Sequence, residues 1–481
     1  MRRIQRLRGK GALPVMRLAG LLALLFGVGQ RGCADSEDVD FVLVAPQDED
    51  SSGHVMAHHL VLRSVSPSGQ LKEVTRRPWP AGTFRVGGVD RGVLLAFEAL
   101  GLDDAGQVTA RGATVFHELW KQTQPIPVLA GSVGQVHLAP EAMPLAHHAG
   151  QAAIVDGRYL VSVGGTQARD AEGTEVSTAT LGVYDVATWR AANVRLTLPF
   201  VPRTLAMISS RVAFAVADDV AALLDLIGQE AKNIAPPRGF AWDEVAGGGA
   251  YYGNYGGQSY LYLVGATRRD KPSSAVFVVD SLGNVRGLRS GEPRTGASAA
   301  YVERFGLVLA GGSDTEPGVV RLTGDNAGFV PLAFGPDPTR GSVAAALDDG
   351  RVVLVGGRLP SEPAEPVPVR TFSLHCTKDC VIEPLGSLSP RIDVTHAQAW
   401  RVSEDEVVVV GANPVSDAST TLYTITGLTP KSGPPTVTTH PLRQPRSGAT
   451  ALALFGRTIA VLGGTTPTGA PALGLEIYIP R

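Results

Sequence analysis

Residues 459–481 read IAVLGGTTPTGAPALGLEIYIPR. An apolar run stops at Gly463 and Gly464, a loop follows, and a second apolar run, LEIYI, begins at Leu475. Two adjacent glycines at the end of a strand mark a backbone that turns with positive φ or lies against another chain segment. LEIYI has no later strand to pair with, and an unpaired apolar edge invites aggregation.

Working outward, the same motif recurs. LVSVGG ends at Gly164 and Gly165, LYLVGA contains Gly265, LVLAGG ends at Gly311 and Gly312, VVLVGG ends at Gly356 and Gly357, and VVVVGA contains Gly411. The spacing is roughly fifty residues, apart from one double interval after Gly164 that RVAFAVADD, around Val216, fills as a degenerate unit. Upstream of the runs, Arg203, Arg238, Arg294, Arg340, Arg391 and Arg446 each precede a small-residue strand, and Leu145 stands at that place in the first unit. A third apolar strand follows every run and a weaker fourth follows all but the last. Four strands repeated seven times is the arithmetic of a β-propeller. GQVHLAP, residues 134–140, is expected to supply the missing outer strand beside LEIYI. Unit two, with Val216–Ala217 in place of glycine, is expected to be the most irregular.

The pattern resembles the kelch repeat, with arginine at the first strand, a diglycine after the second and tyrosine near the end of the third. Tyr184, Trp189, Tyr423 and Tyr478 carry that resemblance beside the glycines. It implies an all-β fold: a seven-bladed kelch-like β-propeller over residues 134–481, of a type that mostly binds partners.

Composition agrees with many short strands: 57 glycines, 34 prolines, 18% charged and 6% aromatic residues. The formal charge of -2 gives no footprint for nucleic acid or anionic lipid. Residues 37–125 lack the glycine-run repeat. Their short alternating segments and turn signals predict an immunoglobulin-like β-sandwich of six or seven strands, standing as a spacer. Removing it is expected to leave a soluble propeller.

Residues 1–34 read as a signal segment, a basic stretch followed by the apolar LAGLLALLFGVG, with Met16 as an alternative start. QRGCADSED resembles a bacterial lipoprotein processing site, which would lipidate Cys33; cleavage after Ala34 would discard that cysteine instead. The protein is therefore expected to be exported, as an outer-membrane or periplasmic lipoprotein or in secreted form. Any membrane contact is expected through the lipid anchor alone. Cys376 and Cys380 suit a small disulfide at a hairpin tip better than a metal site, for which no second pair exists.

Ten histidines include His147 and His148 on a first strand, where structural use is expected. No catalytic motif stands out, so a non-enzymatic binder without cofactor or metal is expected. Its partner would be a protein, with an acidic group held by Arg238, Arg268, Arg269, Arg294, Arg340, Arg391 and Arg446 around the channel mouth. In the competing scaffold reading, each arginine bonds loop carbonyls and locks its own repeat. Tyr251, Tyr252 and Tyr255, in a glycine-rich turn, offer an alternative glycan contact. A carbohydrate-active enzyme is the remaining alternative.

Overall fold

The computed structural model describes residues 36–47, 57–80, 82–90, 93–119, 124–315, 317–323, 325–376, 380–413, 419–429 and 435–481. The signal segment and Cys33 lie outside them.

The N-terminal strands are β1 (Ser36–Val44), β2 (His59–Val65), β3 (Leu71–Pro78), β4 (Thr83–Asp90), β5 (Leu94–Leu102), β6 (Val108–Ala113), β7 (His117–Glu118) and β8 (Ile126–Ser132). They form one sheet in the order β3-β2-β5-β6-β8-β1-β4, with β7 on β5. This differs from the expected pair of sheets ending at residue 125. The reason is β8, which pairs antiparallel with β6 and parallel with β1, joining both halves into one ladder. The sheet curls around Phe41, whose ring lies 5.7 Å from that of Phe84 and 4.7 Å from that of Phe97. Its end strands β3 and β4 approach each other, so the barrel is nearly closed.

Among the described residues, seven four-stranded antiparallel sheets follow, here sheets 1 to 7. Their innermost strands are Gln151–Val155, Thr204–Met207, Gly249–Tyr255, Ser298–Val302, Val343–Ala346, Thr395–Arg401 and Thr450–Ala453. Sheets 1 to 6 touch in sequence along these strands, and sheet 7 touches sheet 1. Each seam between neighbours has its own apolar cluster; Val161, Val183, Ala213 and Leu224 join sheets 1 and 2, for example. Sheets arranged in a ring, packed face to face through separate cores, make a β-propeller.

Closure is made by β9 (Gln135–Leu138), which pairs antiparallel with Glu476–Ile479 as the fourth strand of sheet 7. LEIYI is therefore not an edge. Gly463, at φ 71°, shows why glycine ends strand two: a Cβ there would lie 2.6 Å from the His147 carbonyl oxygen, in the segment that leads into sheet 1. The adjacent Gly464 N–H donates to that same oxygen at 2.8 Å. The unit expected to be irregular is not. Sheet 2 pairs without a bulge, because a tight turn, Ala217 N–H to Val220 C=O at 2.8 Å, joins its second and third strands and needs no diglycine.

Strand direction gives the propeller two faces. One, the loop face, carries the entries of the first strands and the loops after the second. The other carries the short turns, and the N-terminal sheet docks there under sheets 7 and 1. Val133 N–H bonds Thr109 in the N-terminal sheet, and Gly134 N–H bonds Ile479 in sheet 7, so the ladders are nearly continuous. Val115 and Leu129 share one apolar cluster with Tyr184 and Trp189 of sheet 1 and Leu454, Ile477 and Ile479 of sheet 7. The expected spacer is a packed component of the fold.

Two histidines, His117 near this seam and His147 near the loop face, make the fold acid-sensitive. Burial lowers both His117 and His147 to about 4. The His147 ring is also held by Ser162 Oγ at 3.0 Å and the Thr180 carbonyl at 2.9 Å. The folded state favours the neutral imidazole. That stabilisation is therefore complete above the unfolded value near 6.5 and falls as pH drops towards 4, by at most about 3 kcal/mol per histidine. Urea midpoints should decline between pH 7 and pH 4.5, and His147→Gln should flatten the decline. A flat wild-type profile refutes the assignment.

Candidate functional site

Arg294 and Arg446 lie where the first strands of sheets 4 and 7 begin, and both are buried, at 2% and 0% exposure. Arg294 donates to the carbonyls of Gly311 (2.8 Å), Gly318 (2.9 Å) and Pro317 (2.5 Å). Arg446 donates to the carbonyls of Gly463 (3.3 Å) and Gly474 (2.7 Å) and to Glu476 Oε1 (2.6 Å). In each case the guanidinium ties the glycine end of strand two to the chain entering strand three. Arg268 is also buried, bound to the Asp270 carboxylate and the Asp243 carbonyl. These three side chains do not face the mouth. They lock loops, and the reading of them as contact residues is corrected.

The other arginines are more exposed, and most have acidic partners. Arg203 meets Asp218 at 2.7 Å and Asp270 at 3.3 Å. Arg340 pairs with Asp314 at 3.5 Å, Arg391 with Glu365 at 2.9 Å, and Arg358 grips Asp393 through two 2.8 Å bonds. Arg238 is exposed in the turn before the 3-10 helix Trp242–Glu244.

Arg269 differs. It belongs to the loop after strand two of sheet 3, yet its guanidinium lies against Gly341 at the start of sheet 5 and donates to that carbonyl at 3.2 Å. The path is paved by backbone: Gly296 N–H bonds the Arg268 carbonyl, and Gly341 N–H bonds the Gly296 carbonyl. Burial lowers the Arg269 pKa to about 10, and its charge acts on Tyr251 of sheet 3 and His396 of sheet 6. A side chain that reaches from the loop of sheet 3, past Gly296 of sheet 4, to Gly341 of sheet 5 does so only near the axis. Arg269 therefore sits in the channel mouth.

Tyr251, Tyr252 and Tyr255 share the innermost strand of sheet 3 but not one surface. Tyr251 is half-buried and its phenol pKa is raised by burial. Tyr252 is exposed, with its hydroxyl accepting from Met207 N–H at 2.9 Å, and Tyr255 is exposed towards the turn face. They do not form one platform.

His396 was legible only as one of ten histidines. The signal was positional. It has φ 50°, in a stretch where sheets 4, 5 and 7 place Gly296, Gly341 and Gly448, also with positive φ. It is a large side chain at a glycine's place on the mouth. In sheet 1, where arginine is replaced, Leu145 lines a cleft of about 320 Å³ with Asp170, Glu172, Leu181 and Arg195. Register places Cys376 opposite Cys380 across a hairpin. Among the described residues no group of three or more His, Cys, Asp or Glu side chains is placed to hold a metal ion, and no helix is long and apolar enough to cross a membrane.

No family model and no curated protein matches the chain. Similar solved structures include Kluyveromyces lactis Hsv2, at 11% identity over 74% of this chain and 95% of that one, with a TM-score of 0.34. An auxiliary nutrient binding protein from Bacteroides ovatus is 7% identical over 91% of this chain and 97% of its own, with a TM-score of 0.37. BBS1N, solved in complex with ARL6DN, is 11% identical over 71% and 95%, at 0.40. Likeness at this level carries no argument about function; the propeller rests on the strand pairings.

Proposed function

We propose that this chain is an exported, seven-bladed kelch-type propeller that binds a protein partner through its loop face and has no catalytic role. One observation carries the reading: the N-terminal sheet packs against the turn face, under sheets 7 and 1, and among the described residues its strands leave the loop face uncovered. That face holds the longer connections and the exposed side chains of Arg238, Arg340 and Arg391. Export, by lipidation at Cys33 or by cleavage after Ala34, and a Cys376–Cys380 disulfide belong to the same proposal. A glycan-binding reading would rest on Tyr252 alone, exposed at 56%, since Tyr255 lies towards the other face.

The test is site-directed photo-crosslinking in native envelopes. A benzophenone side chain at position 391, on the loop face, should capture one discrete protein, and one at position 282, on the turn face, should not. Capture at 282 alone overturns the loop-face assignment. Glycan-array binding abolished by Tyr252→Ala, without any protein capture, favours the glycan reading instead.

A further inference from the structure

Among the described residues of the loop face, Arg269 is a half-buried cation with no carboxylate partner. Arg203, Arg268, Arg340, Arg358 and Arg391 each have a carboxylate partner, and Lys271 has Asp243. Arg269 has one neutral partner, the Gly341 carbonyl. Placing a guanidinium in a partly dehydrated channel without a counter-charge costs free energy, unless something arrives to pair with it. The surroundings specify what that is. Gly341 has no side chain, and a Cβ there would lie 3.5 Å from the Arg269 Cζ, so the planar fork rests on bare backbone with its remaining N–H groups available. Tyr251 adds a phenol and His396 an imidazole, each from a different sheet.

We infer that the channel mouth is a carboxylate site, in which Arg269 holds one glutamate or aspartate side chain of a partner polypeptide while Tyr251 and His396 hydrogen-bond the same group. The inference rests on the loop-face reading above. A single carboxylate fits better than phosphate because Arg269 offers one guanidinium, with one neutral partner of its own. The rim around it carries Asp218, Asp270, Asp314, Glu365 and Asp393, already paired, which oppose an anion of higher charge. The planar carboxylate also matches the guanidinium fork in bidentate fashion.

Protonation follows from the same three groups. Arg269 stays charged and Tyr251 stays neutral at working pH, since their shifted values lie well above it. His396 is the group that titrates, held below its ordinary value by burial and by Arg269. A bound carboxylate offsets the Arg269 charge and favours the imidazolium, and so raises it. Affinity should therefore increase as pH falls from about 8 to about 5.5, several-fold for a shift near one unit.

The test reads His396 directly, by hydrogen exchange at imidazole C2 followed by mass spectrometry, on the full-length protein. The probes are the capped peptide Gly-Gly-Glu-Gly-Gly, its glutamine counterpart and inorganic phosphate. The glutamate peptide should raise the His396 midpoint by about half a unit or more. The glutamine peptide should leave it unchanged, and Arg269→Gln should abolish the response with an unaltered melting temperature. Equal response to both peptides, or none to either, overturns the proposal. Phosphate acting where the glutamate peptide does not would make this a small-anion site and overturn the polypeptide assignment. Undiminished photo-capture at position 391 in Arg269→Gln would sink the carboxylate site yet leave the loop-face reading standing.

Discussion

A chain beginning at Gly134, without the N-terminal sheet, should aggregate, bind a hydrophobic dye and melt at least several degrees below the full protein. The cause is the shared core. Val115 and Leu129 cover Tyr184 and Trp189 of sheet 1 and Leu454, Ile477 and Ile479 of sheet 7, all buried. Their removal opens a contiguous apolar patch on the turn face, of the kind that drives association. Polar contacts go with it: Gln47 N–H bonds the Leu138 carbonyl at 3.0 Å, supporting the closing strand β9 from outside the ring. A milder variant separates seam from truncation. Gly456 has φ 63°, which asparagine tolerates, but its Cβ would meet that of Ala113 at 2.6 Å. Gly456→Asn should therefore wedge the seam apart, lower the melting temperature by a few degrees and raise dye binding with both parts present. Sedimentation velocity and calorimetry decide. A monodisperse truncated chain with unchanged melting would restore the spacer reading.

The ring itself was readable from glycines. Positions such as Gly463 and Gly464 are forced by close backbone, the His147 carbonyl of the next unit for the first and the Ser447 carbonyl at the entry of their own sheet for the second, so the fold writes glycines into the sequence at most units. Closure by residues 135–138 was readable too, since an unpaired LEIYI demanded a strand and one apolar segment was unemployed. Sheet 2 was misjudged because a tight hairpin at Ala217–Val220 meets the same steric demand without glycine. The docked N-terminal sheet was invisible because Val115 and Leu129 resemble ordinary strand residues, and a seam between two sheets has no period of its own.

The site was less readable than the fold. Arginine at the start of a strand can face solvent or turn inward, and what decides is the position of carbonyls such as those of Gly311 and Gly474. Carbonyls leave no trace in residue identity. Arg269, Tyr251 and His396 are brought together only by the circular arrangement, across separations in sequence that no local pattern spans.

Replacing Arg446 with methionine should destabilise the protein by about 3–5 kcal/mol, the usual cost of leaving a buried charge without its partner. Glu476 is fully buried and accepts from Arg443 N–H at 2.6 Å, from Gln444 N–H at 3.1 Å and from the Arg446 guanidinium. Burial raises its carboxyl pKa, and the Arg446 charge opposes that rise. Without Arg446 the folded-state value climbs further above the unfolded one. The loss relative to wild type should then be greatest at high pH and shrink as pH falls towards the raised value, because a protonated Glu476 no longer needs the cation. Adding Glu476→Gln should recover most of the loss and remove its pH dependence. Arg294→Met is the matched comparison, because Arg294 holds three neutral carbonyls and no carboxylate. Its loss should be smaller, about 2 kcal/mol, and nearly independent of pH. Urea unfolding of the four proteins at pH 8 and pH 5.5 separates the cases. If Arg446→Met lost as much at the lower pH as at the higher, or the double variant remained as unstable as the single, the pair would not be what locks sheet 7, and the bonds of Arg446 to the carbonyls of Gln444, Gly463 and Gly474 would have to account for its burial.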